Sequence, residues 1–154
     1  MRRPSWVSAA LLSLAILEGC SGSRPLKRPV PERAKAVVRT ARSYLSEENA
    51  GRRVPSDCSD FVGKVFAENG IRLPRQSREM AALGSRVGSS KLLEMGDLVF
   101  FSGEKRNRRV GHVGIYVNNG SFIHLTKPDE GVRMESLYSD YYRKRYLTAR
   151  RLIP

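Results

Sequence analysis

Residues 111–125 read Gly-His-Val-Gly-Ile-Tyr-Val-Asn-Asn-Gly-Ser-Phe-Ile-His-Leu. Two β-rich runs flank Asn-Asn-Gly at positions 118–120, and this turn sequence is a strong signal for a β-hairpin. Folding back at the turn brings His112 and His124, the two histidines of the chain, onto neighbouring strands. A loop at 119–120 sets position 112 opposite 127, whereas a loop at 118–119 sets it opposite 125, and both registers stay open.

The segments on either side of this hairpin predict the fold class. Short β-rich runs at 97–102, 132–134 and 147–152 are separated by turn residues. Before them, apolar residues recur at helical spacing in 31–45 and again at positions 58, 61, 62, 65 and 66. Ser56 or Asp57 is a good N-cap for the second helix, Asn69-Gly70 ends it, and a short helix is predicted over 76–83. Helices followed by strands predict an α+β fold, with N-terminal helices packed on a mostly antiparallel sheet of five to six strands.

Length, composition and charge exclude several classes of protein. A chain of 154 residues with 40% hydrophobic residues is long enough for one core and too apolar for wholesale disorder. Two cysteines and two distant histidines give neither a disulfide framework nor a familiar zinc spacing, and no cofactor is expected. The net charge of +13 suits an anionic partner such as nucleic acid, acidic lipid or a wall polymer. Nothing in the sequence indicates an oligomeric state.

The amino terminus has the pattern of an export signal. Arg2 and Arg3 precede an apolar run at 6–17, which is shorter than the roughly 18 residues that a membrane span needs. Leu17-Glu18-Gly19-Cys20 resembles the lipobox of bacterial lipoproteins, although Glu18 is atypical. We therefore predict a signal peptide at 1–19, lipidation of Cys20, a flexible linker at 20–31 and a folded domain at 32–154. The alternative is an ordinary signal peptide or a buried helix.

The predicted signal peptide and lipidation site indicate where the protein acts. Acyl chains on Cys20 would hold it at a membrane surface in the bacterial envelope. Ser21 after the cysteine is compatible with the outer membrane, facing the periplasm. An exported protein is not expected to bind nucleic acid.

Lipidation of Cys20 leaves one thiol, Cys58, at the predicted start of the second helix. The helix dipole and a nearby imidazolium both stabilise a thiolate, so Cys58 is a candidate nucleophile with His112 as its base. His124 would then orient the ring of His112, as the third member of a triad does. Three other readings stay open: a small core cysteine, structural histidines, and a weak two-histidine metal site.

The separated motifs together resemble the NlpC family of papain-like cell-wall cysteine peptidases. The resemblance covers about 37–151 and implies a papain-like NlpC-type fold with Cys58, His112 and His124 as catalytic residues. It implies cleavage of peptidoglycan stem peptides, typically between γ-D-glutamate and a diamino acid, without a metal, and it suggests Ser59 and Tyr44 as substrate contacts. The segments that carry the resemblance are Asp57-Cys58-Ser59-Asp60-Phe61-Val62, Leu73-Pro74-Arg75, Met95-Gly96-Asp97-Leu98-Val99-Phe100-Phe101, Gly111-His112-Val113-Gly114-Ile115-Tyr116-Val117 and Phe122-Ile123-His124.

The chain also departs from the family pattern. Asp60 replaces the usual glycine after Cys-Ser, and its carboxylate is expected to oppose thiolate formation. Met80 replaces a common glutamine, Met95 replaces a proline, and the pair of glycines usual upstream of the cysteine is absent after Tyr44. These departures leave two further functions open. One is a wall-binding lipoprotein that does not cleave, and the other is an amidase or acyltransferase on another envelope substrate.

Overall fold

The computed structural model describes residues 29–45, 55–103 and 108–154. The predicted signal peptide at 1–19, Cys20 and most of the linker at 20–31 lie outside the described residues. In the described ranges, none of the helices has both the length and the apolar character needed to cross a bilayer.

The helices begin at residues that suit their first turns. Helix α1 spans Glu32–Ser43 after Pro31, and α2 spans Cys58–Glu68 with Asp57 as its N-cap. Gly70, at a φ of +76°, lies just beyond the end of α2, where a left-handed residue stops a helix. The predicted helix at 76–83 is shorter in the structure, where α3 spans Ser77–Met80. A 3-10 turn spans Ser90–Leu92, and a further short helix, α4, spans Asp140–Arg143.

In the part of the chain that the structure describes, six antiparallel strands form one sheet in the order β1-β6-β2-β3-β4-β5. Helices α1 and α2 pack on one face of this sheet, so the predicted α+β arrangement is confirmed. The edge strand β1 and helix α4 are absent from the sequence prediction because each is too short to show a periodicity. The strands are β1 Ser85–Val87, β2 Leu98–Ser102, β3 Val110–Asn118, β4 Ser121–Leu125, β5 Val132–Ser136 and β6 Tyr146–Arg151.

Alternating side chains on the strands divide the core into two clusters. Phe100, Val113 and Ile123 face the helices and join the buried stripes of α1 and α2. Their neighbours Phe101 and Phe122 lie on the opposite face, where Tyr142 after β5 covers them. Both faces of the central strands are therefore buried, as β2 shows along its whole length.

The β3–β4 hairpin turns at Asn119-Gly120, and both residues have the positive φ that a type I′ turn requires. Asn118 pairs with Ser121, but the register then shifts by one residue, so that Tyr116 pairs with Phe122 and Ile115 with Ile123. Continued along β3, this register sets position 112 opposite 126 rather than opposite 127 or 125. A β-bulge between Tyr116 and Asn118 causes this shift, so neither predicted register is correct.

A buried ion pair joins the last strand to the loop before β2. Asp97 is 1% exposed and accepts hydrogen bonds from Arg151 Nε and Nη2, each at 2.8 Å. The same carboxylate accepts the backbone N–H of Glu94 at 2.8 Å. Since a buried charge is costly without its partner, this contact locks β6 onto the centre of the sheet.

We expect Asp97→Ala to lower the free energy of unfolding by about 2 kcal/mol, because it removes the buried acceptor of two Arg151 N–H groups and of the Glu94 N–H. Among the described residues, Arg151 keeps only Glu94 Oε2 and the Leu92 carbonyl as partners. Urea denaturation measures this loss. Asp140→Ala is the control, since its ion pair with Arg143 is exposed at the surface and such pairs contribute less than about 1 kcal/mol. Equal losses in the two variants would contradict the structural role of Asp97.

Candidate active site

The N-terminus of α2 is held by a network of polar side chains. Asp57 Oδ1 accepts the backbone N–H of Asp60 at 2.9 Å, which is an N-cap bond. Arg75 donates to both carboxylate oxygens of Asp57, at 3.1 and 2.5 Å. Ser59 Oγ donates to Asp57 Oδ1 at 2.8 Å and accepts from Arg75 at 2.9 Å. Burial alone would raise the pKa of Asp57, but Arg75 and the cap bonds outweigh it and hold the pKa far below its usual value.

Cys58 is the first residue of this helix and is partly exposed. Burial raises the pKa of its thiol above the ordinary value, and the Asp57 carboxylate raises it further. Hydrogen bonds to the sulfur from the backbone of Val113, Ser59 and Cys58 itself act in the opposite direction. The resting group is therefore a neutral thiol with backbone donors already directed at it. The Val113 contact also places the sulfur beside β3, next to the backbone that follows His112.

The structure brings His112 and His124 together. Their rings are perpendicular, and His112 Nε2 lies 2.9 Å from His124 Nδ1, within hydrogen-bond distance. His124 is fully buried, with its ring centroid 4.9 Å from that of Phe122. Burial lowers the pKa of His112 to about 4. Burial, with the positive charges of His112 and Arg133, lowers the pKa of His124 to about 3. Both rings are therefore neutral near pH 7.

Tyr142 extends this pair, a role that the sequence pattern does not predict. Its hydroxyl lies 3.3 Å from His124 Nε2 and also hydrogen-bonds the Thr126 side chain, while burial raises the pKa of Tyr142 to about 12. When the tyrosine oxygen accepts the Nε2–H of His124, the Nδ1 of His124 accepts the Nε2–H of His112. In that arrangement Nδ1 of His112 carries the lone pair that a base needs. A tyrosine on a four-residue helix gives no sequence signal for this role.

The two predicted substrate contacts lie elsewhere. Ser59 is only 7% exposed, and its hydroxyl is hydrogen-bonded to the Asp57 carboxylate and the Arg75 guanidinium. Tyr44 packs edge-on against Phe61, and its hydroxyl donates to Glu68 Oε1 at 2.7 Å. Glu68 is ten residues beyond Cys58 on α2, about 15 Å along the helix axis. Both hydroxyls therefore have partners within the protein, and the roles of Ser59 and Tyr44 as substrate contacts stay predictions.

The departures at Asp60 and Met80 have structural explanations. Asp60 Oδ2 accepts the backbone N–H of Ser56 and pairs with Lys64 at 2.9 Å. Burial would raise the pKa of Asp60, but these hydrogen bonds outweigh it and lower the pKa. The charge that opposes thiolate formation is that of Asp57, so the expectation for Asp60 is wrong. Met80 is fully buried in the helix-side core.

A metal site has little support in the described ranges. No group of three or more histidine, cysteine, aspartate or glutamate side chains is placed there to hold an ion. The facing nitrogens of the two histidines are directed at each other rather than at a shared ligand position.

The low pKa values of the histidines predict a specific loss of stability in acid. The histidines of the unfolded chain take up protons near pH 6.5, but those of the folded chain do so only near pH 4 and 3. Protons therefore stabilise the unfolded chain first, so the stability contributed by the neutral histidines is complete above pH 6.5 and is lost as the pH falls. The slope reaches at most about 1.4 kcal/mol per pH unit for each histidine. Urea denaturation between pH 7.5 and 5 measures it.

The double variant His112→Gln, His124→Gln is the control, because it removes every histidine of the chain. Its stability should change little over this pH range, since the folded pKa values of Asp57 and Asp60 are lowered and lie below it. A double variant that loses stability as steeply as the natural chain would contradict the assignment.

Comparisons with known proteins show the family of the chain. The model of the NlpC/P60 family matches residues 44–151, which is more than half of the chain. The murein DD-endopeptidase MepS/murein LD-carboxypeptidase of Escherichia coli strain K12 is 41% identical over 98 residues, covering 63% of this chain and 50% of that protein. The γ-D-glutamyl-L-lysine dipeptidyl-peptidase of Bacillus cereus is 33% identical over 98 residues, covering 64% of this chain and 29% of that protein. The chain thus spans about half the length, or less, of these curated relatives.

Solved structures show the same fold. An NlpC/P60 family protein from Bacillus cereus superposes with a TM-score of 0.68 at 28% identity, covering 82% of this chain and 42% of that one. A lipoprotein-like NlpC/P60 protein from Staphylococcus aureus superposes with a TM-score of 0.64 at 26% identity, covering 83% of this chain and 44% of that one. With the family model matched across both the thiol-bearing helix and the histidine hairpin, the chain belongs to the NlpC/P60 family.

Proposed function

We propose that the protein is a cysteine peptidase that hydrolyses the stem peptides of peptidoglycan. The observation that carries this proposal is the contact between His112 Nε2 and His124 Nδ1 at 2.9 Å, on a strand whose Val113 backbone hydrogen-bonds the Cys58 sulfur. A purely structural cysteine in the core would not explain why a neutral imidazole lies on the adjacent strand, or why a second buried imidazole holds that ring in place. The arrangement has the groups of a Cys-His-His triad.

Catalysis begins with the transfer of the thiol proton to Nδ1 of His112. The raised thiol pKa and lowered imidazole pKa oppose a stable ion pair at rest, so the proton moves as the sulfur attacks the carbonyl carbon. A carbon–sulfur bond forms and the carbonyl π electrons move to oxygen. The backbone N–H groups at the start of α2 lack intrahelical partners, and we propose that the N–H of Cys58 stabilises this oxyanion.

The imidazolium then donates its proton to the leaving amine, and the carbon–nitrogen bond breaks to give an acyl-enzyme. Water, deprotonated by the neutral His112, attacks the acyl carbon and releases the thiol. Throughout the cycle His124 keeps the His112 ring in place, and Tyr142 fixes the orientation of His124. A positive His112 is stabilised by the lone pair of His124 Nδ1, which makes His124 more than a spacer.

The relatives and the charge support the substrate class. Their names refer to murein bonds and to a γ-D-glutamyl-L-lysine bond. We propose that this chain cuts the bond between γ-D-glutamate and a diamino acid. A net charge of +13 favours association with stem peptides, which carry free carboxylates.

A second candidate is a wall-binding protein that does not cleave, or cleaves poorly. The raised pKa of the Cys58 thiol favours it, because a neutral thiol is a weak nucleophile. The buried, oriented histidine pair favours the peptidase, since binding alone needs no such pair.

We expect Cys58→Ala to abolish the release of muropeptides from purified sacculi, a loss of at least about 1,000-fold. His112→Ala should cost nearly as much, because nucleophile and base act as a unit. His124→Gln should lose roughly tenfold to 100-fold, since an amide or water partly replaces an orienting imidazole. Mass spectrometry of the released muropeptides measures the rate and identifies the bond.

Lys35→Ala, an exposed residue of α1, is the activity control, and thermal unfolding shows whether each variant is folded. A folded Cys58→Ala variant with full activity would reject the mechanism. A natural chain that binds sacculi without releasing fragments would instead support the wall-binding protein, and release of products other than cut stem peptides would support an amidase or acyltransferase.

We also propose that the domain acts at the envelope through a lipid on Cys20, at the outer membrane facing the periplasm. Expressed in a Gram-negative bacterium, the natural chain should incorporate labelled palmitate and sediment with the outer membrane. Cys20→Ala should lose the label and the sedimentation. An unlabelled natural chain would contradict the anchor and favour an ordinary signal peptide.

A further inference from the structure

A cleft lies on the sheet face opposite α2, at the end where β2, β3 and β4 meet α4. Its volume is about 190 Å³, enough for a small charged group and a few carbons. His112 forms one wall, Lys127 and Thr126 lie past the end of β4, and Tyr141 with Arg145 closes the far side. Cys58 does not line it. In the proposed peptidase, His112 is the residue that takes part in the chemistry at Cys58 and also lines this cleft.

Arg145 has fewer polar partners than two arginines near it in the chain, Arg143 and Arg151. Its guanidinium carbon lies 3.7 Å from the centroid of the Tyr141 ring, and Nη1 donates to the Tyr141 carbonyl at 3.3 Å. Its Nε is buried with no hydrogen-bond partner, and within the described ranges the guanidinium forms no ion pair. By contrast, Arg143 pairs with Asp140 and Arg151 pairs with Asp97.

A guanidinium without a carboxylate partner can bind an incoming anion through its terminal N–H groups, and among the described residues only Nη1 is bonded, to the Tyr141 carbonyl. The Tyr141 ring and carbonyl hold the guanidinium plane, so little side-chain freedom remains to be lost when an anion binds. Lys127 adds a second positive charge, because its ammonium is only loosely paired, 3.7 Å from Glu130. The cleft thus offers a positioned cation pair to one small anion.

The reaction determines which part of the substrate reaches this cleft. In the proposed peptidase the acyl half is bonded to the Cys58 sulfur, whereas the leaving amine takes its proton from His112. The leaving half therefore lies on the His112 side, remote from the sulfur. We propose that the cleft is a subsite for a carboxylate on the leaving half of the substrate, held by Arg145 with help from Lys127. This inference rests on the proposed function.

The proposal makes a choice between two diamino acids. On the side-chain carbon that bears the terminal amine, diaminopimelate carries a carboxylate in place of one of the two hydrogens of lysine. Two otherwise identical stem peptides, one with each residue after γ-D-glutamate, therefore differ in the group that Arg145 would bind. We expect the natural chain to cleave the diaminopimelate peptide with a kcat/KM at least tenfold higher, mainly through a lower KM.

The test compares Arg145→Met with Lys144→Met in the full chain. Methionine keeps the apolar stem but removes the guanidinium, while Lys144 is the exposed neighbour that does not line the cleft. Arg145→Met should lower kcat/KM for the diaminopimelate peptide at least tenfold and leave the lysine peptide unchanged. Lys144→Met should retain the preference, and Arg145→Lys should recover it in part, since lysine supplies charge without the two-pronged geometry. Equal losses on both peptides would indicate a structural role and overturn the subsite.

Binding to the Cys58→Ala variant separates this proposal from the proposed function. Calorimetry should show tighter binding of the diaminopimelate peptide, and the added Arg145→Met change should remove the difference. Preferential binding without cleavage by the natural chain would keep the subsite and reject the peptidase. Cleavage of both peptides at equal rates would keep the peptidase and reject the subsite.

Discussion

The arrangement of this molecule depends on a one-residue register shift in the β3–β4 hairpin. Without it, the pairing of Asn118 with Ser121 would continue and set residue 115 opposite 124, which puts His112 and His124 on opposite faces of the sheet. With it, Ile115 meets Ile123 and Tyr116 meets Phe122. The two core clusters stay separate, and both imidazoles lie on the same face of the sheet, next to Phe101, Phe122 and Tyr142. The additional residue of the bulge therefore both keeps the two core clusters apart and brings the two histidines onto one face.

Gly114 is part of the same constraint. A Cβ at this position would lie 2.6 Å from Phe122 Cδ2 and 3.2 Å from His124 Cβ. The close approach of β3 and β4 beside the histidines is therefore possible only with glycine. The position of the thiol depends on a different contact, the ion pair of Arg75 with the N-cap residue Asp57. The hydrogen bond from the Val113 backbone to the Cys58 sulfur joins this helix end to β3.

Much of this arrangement follows from local sequence, and the remainder does not. The Asp57 cap, the apolar stripe of α2 and the Asn119-Gly120 turn are short-range signals, so helix and hairpin can be predicted. The register shift cannot, because it is selected by which side chains fit each core face. Tyr142 and Arg145 belong to a four-residue helix and its exit, and only the folded sheet brings them to the histidines. Asp60 is misjudged for a related reason, since its neutralisation by Lys64 depends on side-chain geometry.

The neutral resting state of Cys58 also has a consequence for the lifetime of the protein. Oxidants attack the thiolate form of cysteine, and each step beyond sulfenic acid is in practice irreversible. A thiol whose pKa is raised by burial presents little thiolate between turnovers. Because burial and Asp57 raise the pKa of the thiol, peroxide should oxidise the resting Cys58 more slowly than a free cysteine.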